Sequence, residues 1–159
     1  PFVNRGISGQ ITGEMLGRMK ADVLDLKPAA MLVLAGTNDL ARGVEVAVVK
    51  NNLAMIGDLA RANSIRAIFA SILPVSDYAK DRLPQTPLRP PDKIRDINAW
   101  LEQHCRDRGH TYLDYHSAMA DAQGLLQAEL ANDGLHPNAA GHEKVFIQVR
   151  DFLIANKYI

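Results

Sequence analysis

What this chain lacks narrows its function first. It has one cysteine, Cys105, so no disulfide can form within it, and its place in a helical pattern marks it as inert packing. No apolar run approaches the roughly 20 residues that cross a bilayer, and no signal-peptide pattern is visible. Eighteen Lys and Arg balance eighteen Asp and Glu, with no basic block. That balance argues against nucleic acid or an anionic membrane surface as partner, as the missing apolar run argues against membrane insertion. No Gly-rich phosphate loop and no Gly-Lys-Ser/Thr are present, so a nucleotide has no cradle. The histidines form no pair at a metal-ligand spacing, and no metal is expected.

What remains is an ordinary globular composition. Hydrophobic residues make up 47% and charged residues 23% of 159 positions, enough for a single domain over 1–159 with its own core. Strand-like apolar runs alternate with helical periodicity. Phe2-Val3 reads as the end of a strand already under way at Pro1. Residues 11–26 place Ile11, Met15, Met19, Val23 and Leu26 on one helix face, and Pro28 stops them. Residues 30–35 are continuously apolar, as in a strand covered on both faces. Residues 44–62 predict a helix with Val48, Leu53, Ile56, Leu59 and Ala60 inward. Residues 66–72 predict a second buried strand. A helix over 91–108 opens on Pro91 and ends at Gly109. Residues 111–114 predict a short strand and 138–155 the closing helix. The alternation predicts a parallel sheet with helices on both faces. The one irregular stretch, residues 74–91, holds five prolines. It leaves the carboxyl edge of the sheet, where open α/β folds bind ligands.

Three clusters fall at strand ends on that edge. In Asp133-Gly134-Leu135-His136-Pro137-Asn138, Gly134 and Pro137 break regular structure, so the carboxylate and the imidazole can share one cleft. An Asp bonded to one ring nitrogen fixes the tautomer and frees the other nitrogen as a base. Gly36-Thr37-Asn38-Asp39 offers an uncharged amide donor at Asn38. Asn4-Arg5-Gly6-Ile7-Ser8-Gly9 offers an approachable N–H at Gly9. Each cluster alone also reads as ordinary turn or capping chemistry. Together they supply an orienter, a base and two oxyanion donors, the parts of an acyl-transfer site.

The three blocks, in this order and spacing, resemble the SGNH (GDSL-like) hydrolases over essentially the whole chain. The resemblance implies a three-layer α/β/α, flavodoxin-like parallel sheet. It also implies catalytic roles for Asp133 and His136, oxyanion roles for Gly9 and Asn38, and no cofactor. The family's Gly-Asp-Ser block, with its nucleophile, is not found here, nor is the strand that carries it. Ser8 lacks the Gly-x-Ser-x-Gly elbow, Ser71 ends a buried strand, Ser76 lies in the proline-rich loop, and Ser64 and Ser117 sit away from the clusters. In a flavodoxin-like order 2-1-3-4-5 the first strand lies between Phe2-Val3 and the Met31 strand. The expectation is therefore a preceding segment, or a separate chain, of about 30 residues or more that ends in the serine.

The resulting reading is a serine esterase or acylhydrolase acting on a small-molecule acyl ester with a short acyl group. Tyr78 and Arg82 of the proline-rich loop are candidate substrate contacts. The alternative is a carbohydrate- or ester-binding domain of the same fold without a nucleophile. Of the other histidines, His104 and His110 flank a helix end and read as solvated or capping side chains. His116 reads as packing and His142 as surface.

Overall fold

A computed structural model of the chain describes residues 2–158; Pro1 and Ile159 lie outside them. Three parallel strands form one sheet in the order β1 (Ala30–Val33), β2 (Arg66–Ala70), β3 (Thr111–Leu113). Parallel neighbours need long crossovers; here α3 (Val46–Ala62) and α4 (Pro91–Arg108) supply them. Ala30 lies opposite Arg66, and Ile68 opposite Thr111.

Alternation along β2 builds two cores. Ala67 and Phe69 face Met19 of α1 (Thr12–Asp22), Val49, Leu53 and Ile56 of α3, and Ile94, Ile97 and Leu101 of α4. Ile68 and Ala70 point the other way, toward Leu113, Tyr115 and the Val145, Val149 and Phe152 face of α6 (Ala139–Ala155). Helices therefore cover both sides of the sheet, as the alternation predicts. Just past β2 the buried Asn98 amide bonds the Ile72 N–H at 2.8 Å and the Ile72 carbonyl at 2.9 Å. It anchors the start of the proline-rich loop to α4, where no strand partner serves the Ile72 backbone.

Several sequence expectations need correction. Phe2 and Val3 form no strand and are exposed. β1 pairs only with β2, so its outer edge has no ladder partner among the described residues. Nor is that run covered on both faces: Leu32 is 47% and Leu34 45% exposed. In α3 the buried stripe is Val49, Leu53, Ile56, Gly57 and Ala60. Val48 and Leu59 face outward, because a position one residue away on a helix is turned by about 100°. α3 also starts two residues later than expected. A short helix, α2 (Thr37–Ala41), precedes it, and the Val44 N–H is held by the Asp39 carbonyl at 2.9 Å. α1 stops at Asp22, and Leu24–Leu26 form a separate 3-10 turn closed by Lys27 at φ 49°. A further short helix, α5 (Tyr115–Met119), is capped by Asp114, whose carboxylate accepts from the Ser117 N–H at 3.0 Å. No helix among the described residues is long and apolar enough to cross a membrane.

Candidate active site

The loop before α6 is built around Asp133. One carboxylate oxygen accepts the N–H groups of Leu135 at 2.9 Å and His136 at 2.8 Å. The other lies 2.7 Å from His136 Nδ1. Burial pushes the Asp133 carboxyl up, but the bonds from the His136 ring and the two N–H groups outweigh it and hold its pKa at about 2. At neutral pH the acid is ionised and fixes the imidazole through Nδ1. His136 Nε2 has no hydrogen-bond partner among the described residues, and the side chain is 77% exposed. Asp133 and His136 are thus paired, and the imidazole Nε2 is open.

The surrounding backbone holds this loop in place. The Ser76 N–H donates to the Gly134 carbonyl at 2.9 Å, and Gly134 sits at φ 76°. A Cβ there would lie 2.1 Å from the Ser76 carbonyl oxygen, so only glycine fits. Asn138 caps α6, its side chain accepting from the Gly141 N–H at 3.1 Å and donating to the Glu129 carbonyl at 2.9 Å.

A second assembly joins Gly9 to Asn38. The Asn38 amide donates one N–H to the Gln10 carbonyl at 3.0 Å, which fixes the side chain and leaves its other N–H for a ligand. Arg42, at the end of α2, donates to the Gly9 carbonyl at 2.7 Å. Gly9 lies at φ 80°, and its N–H makes no hydrogen bond among the described residues. The fully buried Asp39 carboxylate accepts from the Thr12 N–H at 3.0 Å and the Thr12 hydroxyl at 2.5 Å. It therefore ties α2 to the first turn of α1, where negative charge is favoured.

The proline-rich loop borders both assemblies. The Tyr78 hydroxyl donates to the Ala131 carbonyl at 2.6 Å, which clamps the chain just before Asp133. Burial, with Asp133 and Glu129 nearby, raises the Tyr78 pKa. Arg82 is exposed, its Nε 3.6 Å from the Asp81 carboxylate. The loop's buried cation is instead Arg89, only 7% exposed. Its Nε donates to Thr37 Oγ1 at 3.1 Å and its Nη1 to Gln85 Oε1 at 2.6 Å. Burial lowers the guanidinium pKa, and the Asp133 carboxylate pulls it back up. Arg89 thus stands between the Asn38 loop and the dyad, which share no direct hydrogen bond among the described residues. Sequence reasoning passed over it. The signal was its place immediately before Pro90-Pro91, where the loop must return to the sheet edge.

No serine among the described residues hydrogen-bonds His136. Ser71 is fully buried, its hydroxyl accepting from the His116 N–H at 2.8 Å. His104 and His110 are only partly solvated, each half-buried, and neither side chain caps a helix. Both Nε2 atoms are buried without a partner among the described residues. His104 stacks on Trp100 at 4.8 Å, and His110 packs edge-on to Phe69 at 5.7 Å. Among the described residues no three His, Cys, Asp or Glu side chains converge to hold a metal.

Residues 1–144 match the GDSL-like lipase/acylhydrolase family. The chain belongs to that family. It is 25% identical over 157 residues to an acetylxylan esterase of Geobacillus stearothermophilus, covering 95% of this chain and 69% of that protein. It is 25% identical over 151 residues to the esterase TesA of Pseudomonas aeruginosa, covering 92% and 66%. The chain thus spans about two thirds of each. A GDSL-like lipase structure from Bacteroides thetaiotaomicron superposes with a TM-score of 0.87 at 28% identity, covering 97% of this chain and 76% of that one. This GDSL-like chain accordingly has the α/β fold of its family. An acetylxylan esterase from Geobacillus stearothermophilus shares the fold at a TM-score of 0.76 and 22% to 23% identity. It has been solved as catalytic mutants at a serine, a histidine and an aspartate.

Proposed function

We propose that this GDSL-like domain is part of a serine esterase that hydrolyses short acyl esters. The carrying observation is the Asp133–His136 pair at 2.7 Å with an open Nε2. In this reading a serine hydroxyl attacks the ester carbonyl while His136 Nε2 takes its proton, and Asp133 stabilises the imidazolium. The oxyanion is held by the Gly9 N–H and the free N–H of Asn38. His136 then passes the proton to the departing alcohol. It next draws one from water, which releases the acid and restores the serine. No cofactor takes part. The acetylxylan esterase, whose mutated aspartate and histidine stand three residues apart, supports the roles given to Asp133 and His136.

The nucleophile belongs, in this proposal, to a segment outside residues 1–159 that adds a strand to the free edge of β1. Two features support that position. The ladder edge of β1 is unpaired among the described residues, and Leu32, Leu34 and, on α6, Phe146 are apolar side chains left in water. Such an edge is a liability unless it is covered. Tyr78 and Arg82 complete the reading as substrate contacts, the ring for an acyl or sugar face and the guanidinium for a polar group.

Labelling the full-length protein with a fluorophosphonate tests the proposal. Stoichiometric modification of one serine, abolished in His136→Ala, is expected. Absence of any label would leave a binding domain without a nucleophile.

A further inference from the structure

A buried arginine normally faces a carboxylate, because desolvating a lone cation costs several kcal/mol. Arg89 does not. It is 7% exposed, yet both its protein partners are neutral: Thr37 Oγ1 at 3.1 Å and Gln85 Oε1 at 2.6 Å. No Asp or Glu among the described residues lies within ion-pair distance of it. The partners are themselves fixed. Gln85 donates its backbone N–H to Asp77 at 2.5 Å and its side-chain amide to the Leu83 carbonyl at 2.7 Å. Thr37 opens α2, one residue before Asn38. The side chain is therefore held at two separate points, its Nε–H and one Nη1 hydrogen. Nη2 makes no hydrogen bond among the described residues, and it is not among the polar atoms sealed from solvent. A rigidly held fork with an open end beside the candidate oxyanion loop is built to receive a planar anion.

We propose that Arg89 binds a carboxylate carried by the substrate, so that this site takes anionic esters in preference to neutral ones. This rests on the acyl-ester reading of the site. The carboxylate can sit on the acyl part or on the leaving alcohol; both present the same two oxygens to Nη2 and the remaining Nη1 hydrogen. Binding neutralises a charge that the fold leaves unpaired, so selectivity comes from the substrate completing the ion pair.

The test uses the full-length protein in the His136→Ala background, where no ester turns over. Two matched pairs are titrated by calorimetry. Monomethyl succinate against dimethyl succinate places the charge on the acyl side. Acetoxyacetate against methyl acetoxyacetate places it on the leaving group. In at least one pair the acid is expected to bind about tenfold or more tighter than its methyl ester, the range for a hydrogen bond to a charged group. Arg89→Met is expected to erase that gap. The Arg89 Nε–H resonance of the otherwise unaltered chain should also move with the acid and not with the ester, a readout that holds if Arg89→Met does not fold. Equal affinities within both pairs, a gap that survives Arg89→Met, or an unmoved Nε–H resonance overturns the proposal. Fluorophosphonate labelling of the wild-type protein is scored separately. Label without charge selectivity leaves the esterase and removes the anion site, whereas selectivity without label does the reverse.

Discussion

Gly134→Ala tests whether the Asp133–His136 loop is positioned by its contact with the proline-rich loop, and Gly124→Ala provides an internal control. Both glycines are left-handed, at φ 76° and 78°. An alanine at either pays the same conformational cost, about 1–2 kcal/mol. Their surroundings differ. At Gly124 the nearest atom to a new Cβ is the flexible end of Arg95, 3.8 Å away. At Gly134 it is the Ser76 carbonyl oxygen at 2.1 Å, main chain that cannot rotate aside. Relief requires the loops to part, which breaks the Ser76 N–H bond to the Gly134 carbonyl and strands a buried donor at a cost of about 1–3 kcal/mol. Gly134→Ala should therefore be less stable than Gly124→Ala by about 2 kcal/mol in urea unfolding. A displacement of Asp133 and His136 by about 1 Å should also slow ester hydrolysis on the order of a hundred-fold, with Gly124→Ala close to wild type. Equal stability and equal turnover in the two variants would refute the positioning argument.

Other consequences follow from the same geometry. His136→Ala and Asp133→Asn should each cut kcat by several orders of magnitude while the fold survives; near-normal turnover in either removes the dyad from the mechanism. Asn38→Ala should cost on the order of a hundred-fold in kcat as one oxyanion donor is lost, and an effect confined to KM would reduce Asn38 to a binding contact. Replacing Tyr78 and Arg82 together by alanine should change kcat/KM unequally across esters of differing acyl length; a uniform change or none excludes them from specificity. Burial lowers the pKa of His104 and His110, so the folded state favours neutral rings. The stability they support is complete above the unfolded histidine pKa of about 6.5 and declines as pH falls below it. Urea midpoints at pH 7.5 and 5.5 should show that decline, and His104→Leu should flatten it. An unchanged slope in that variant contradicts the assignment.

How much of this was readable in the sequence depends on how local the cause is. The helix Pro91–Arg108 has the expected bounds because both ends carry their own signals, Pro91 at its first turn and Gly109 in the left-handed cap at φ 72°. The helices Thr37–Ala41 and Tyr115–Met119 were missed because five residues are less than two turns, too few for a periodic pattern. Burial on Val46–Ala62 was misread at Val48 and Leu59 because valine and leucine populate both sides of the stripe. Which ones face the sheet depends on how the helix is rotated against β2, a tertiary fact. The covering expected over Leu32 and Leu34 failed for the same reason, since an apolar run reports what could be buried and not what lies over it.

The site shows the same division more sharply. Asp133 and His136 are three residues apart, so a turn alone can join them, and their pairing follows from Gly134 and the N–H groups of Leu135 and His136. Asn38 and Gly9 lie 29 residues apart in the numbering, and their association needs Gln10, Arg42 and Asp39 together. Asp39 reads in the sequence as part of a chemical motif. In the structure its carboxylate is spent on Thr12, which locks the turn carrying Gly9 to the helix carrying Asn38. Two adjacent residues of one short motif thus divide the labour. Asn38 keeps one amide N–H uncommitted, and Asp39 holds the backbone of the turn that carries the Gly9 N–H.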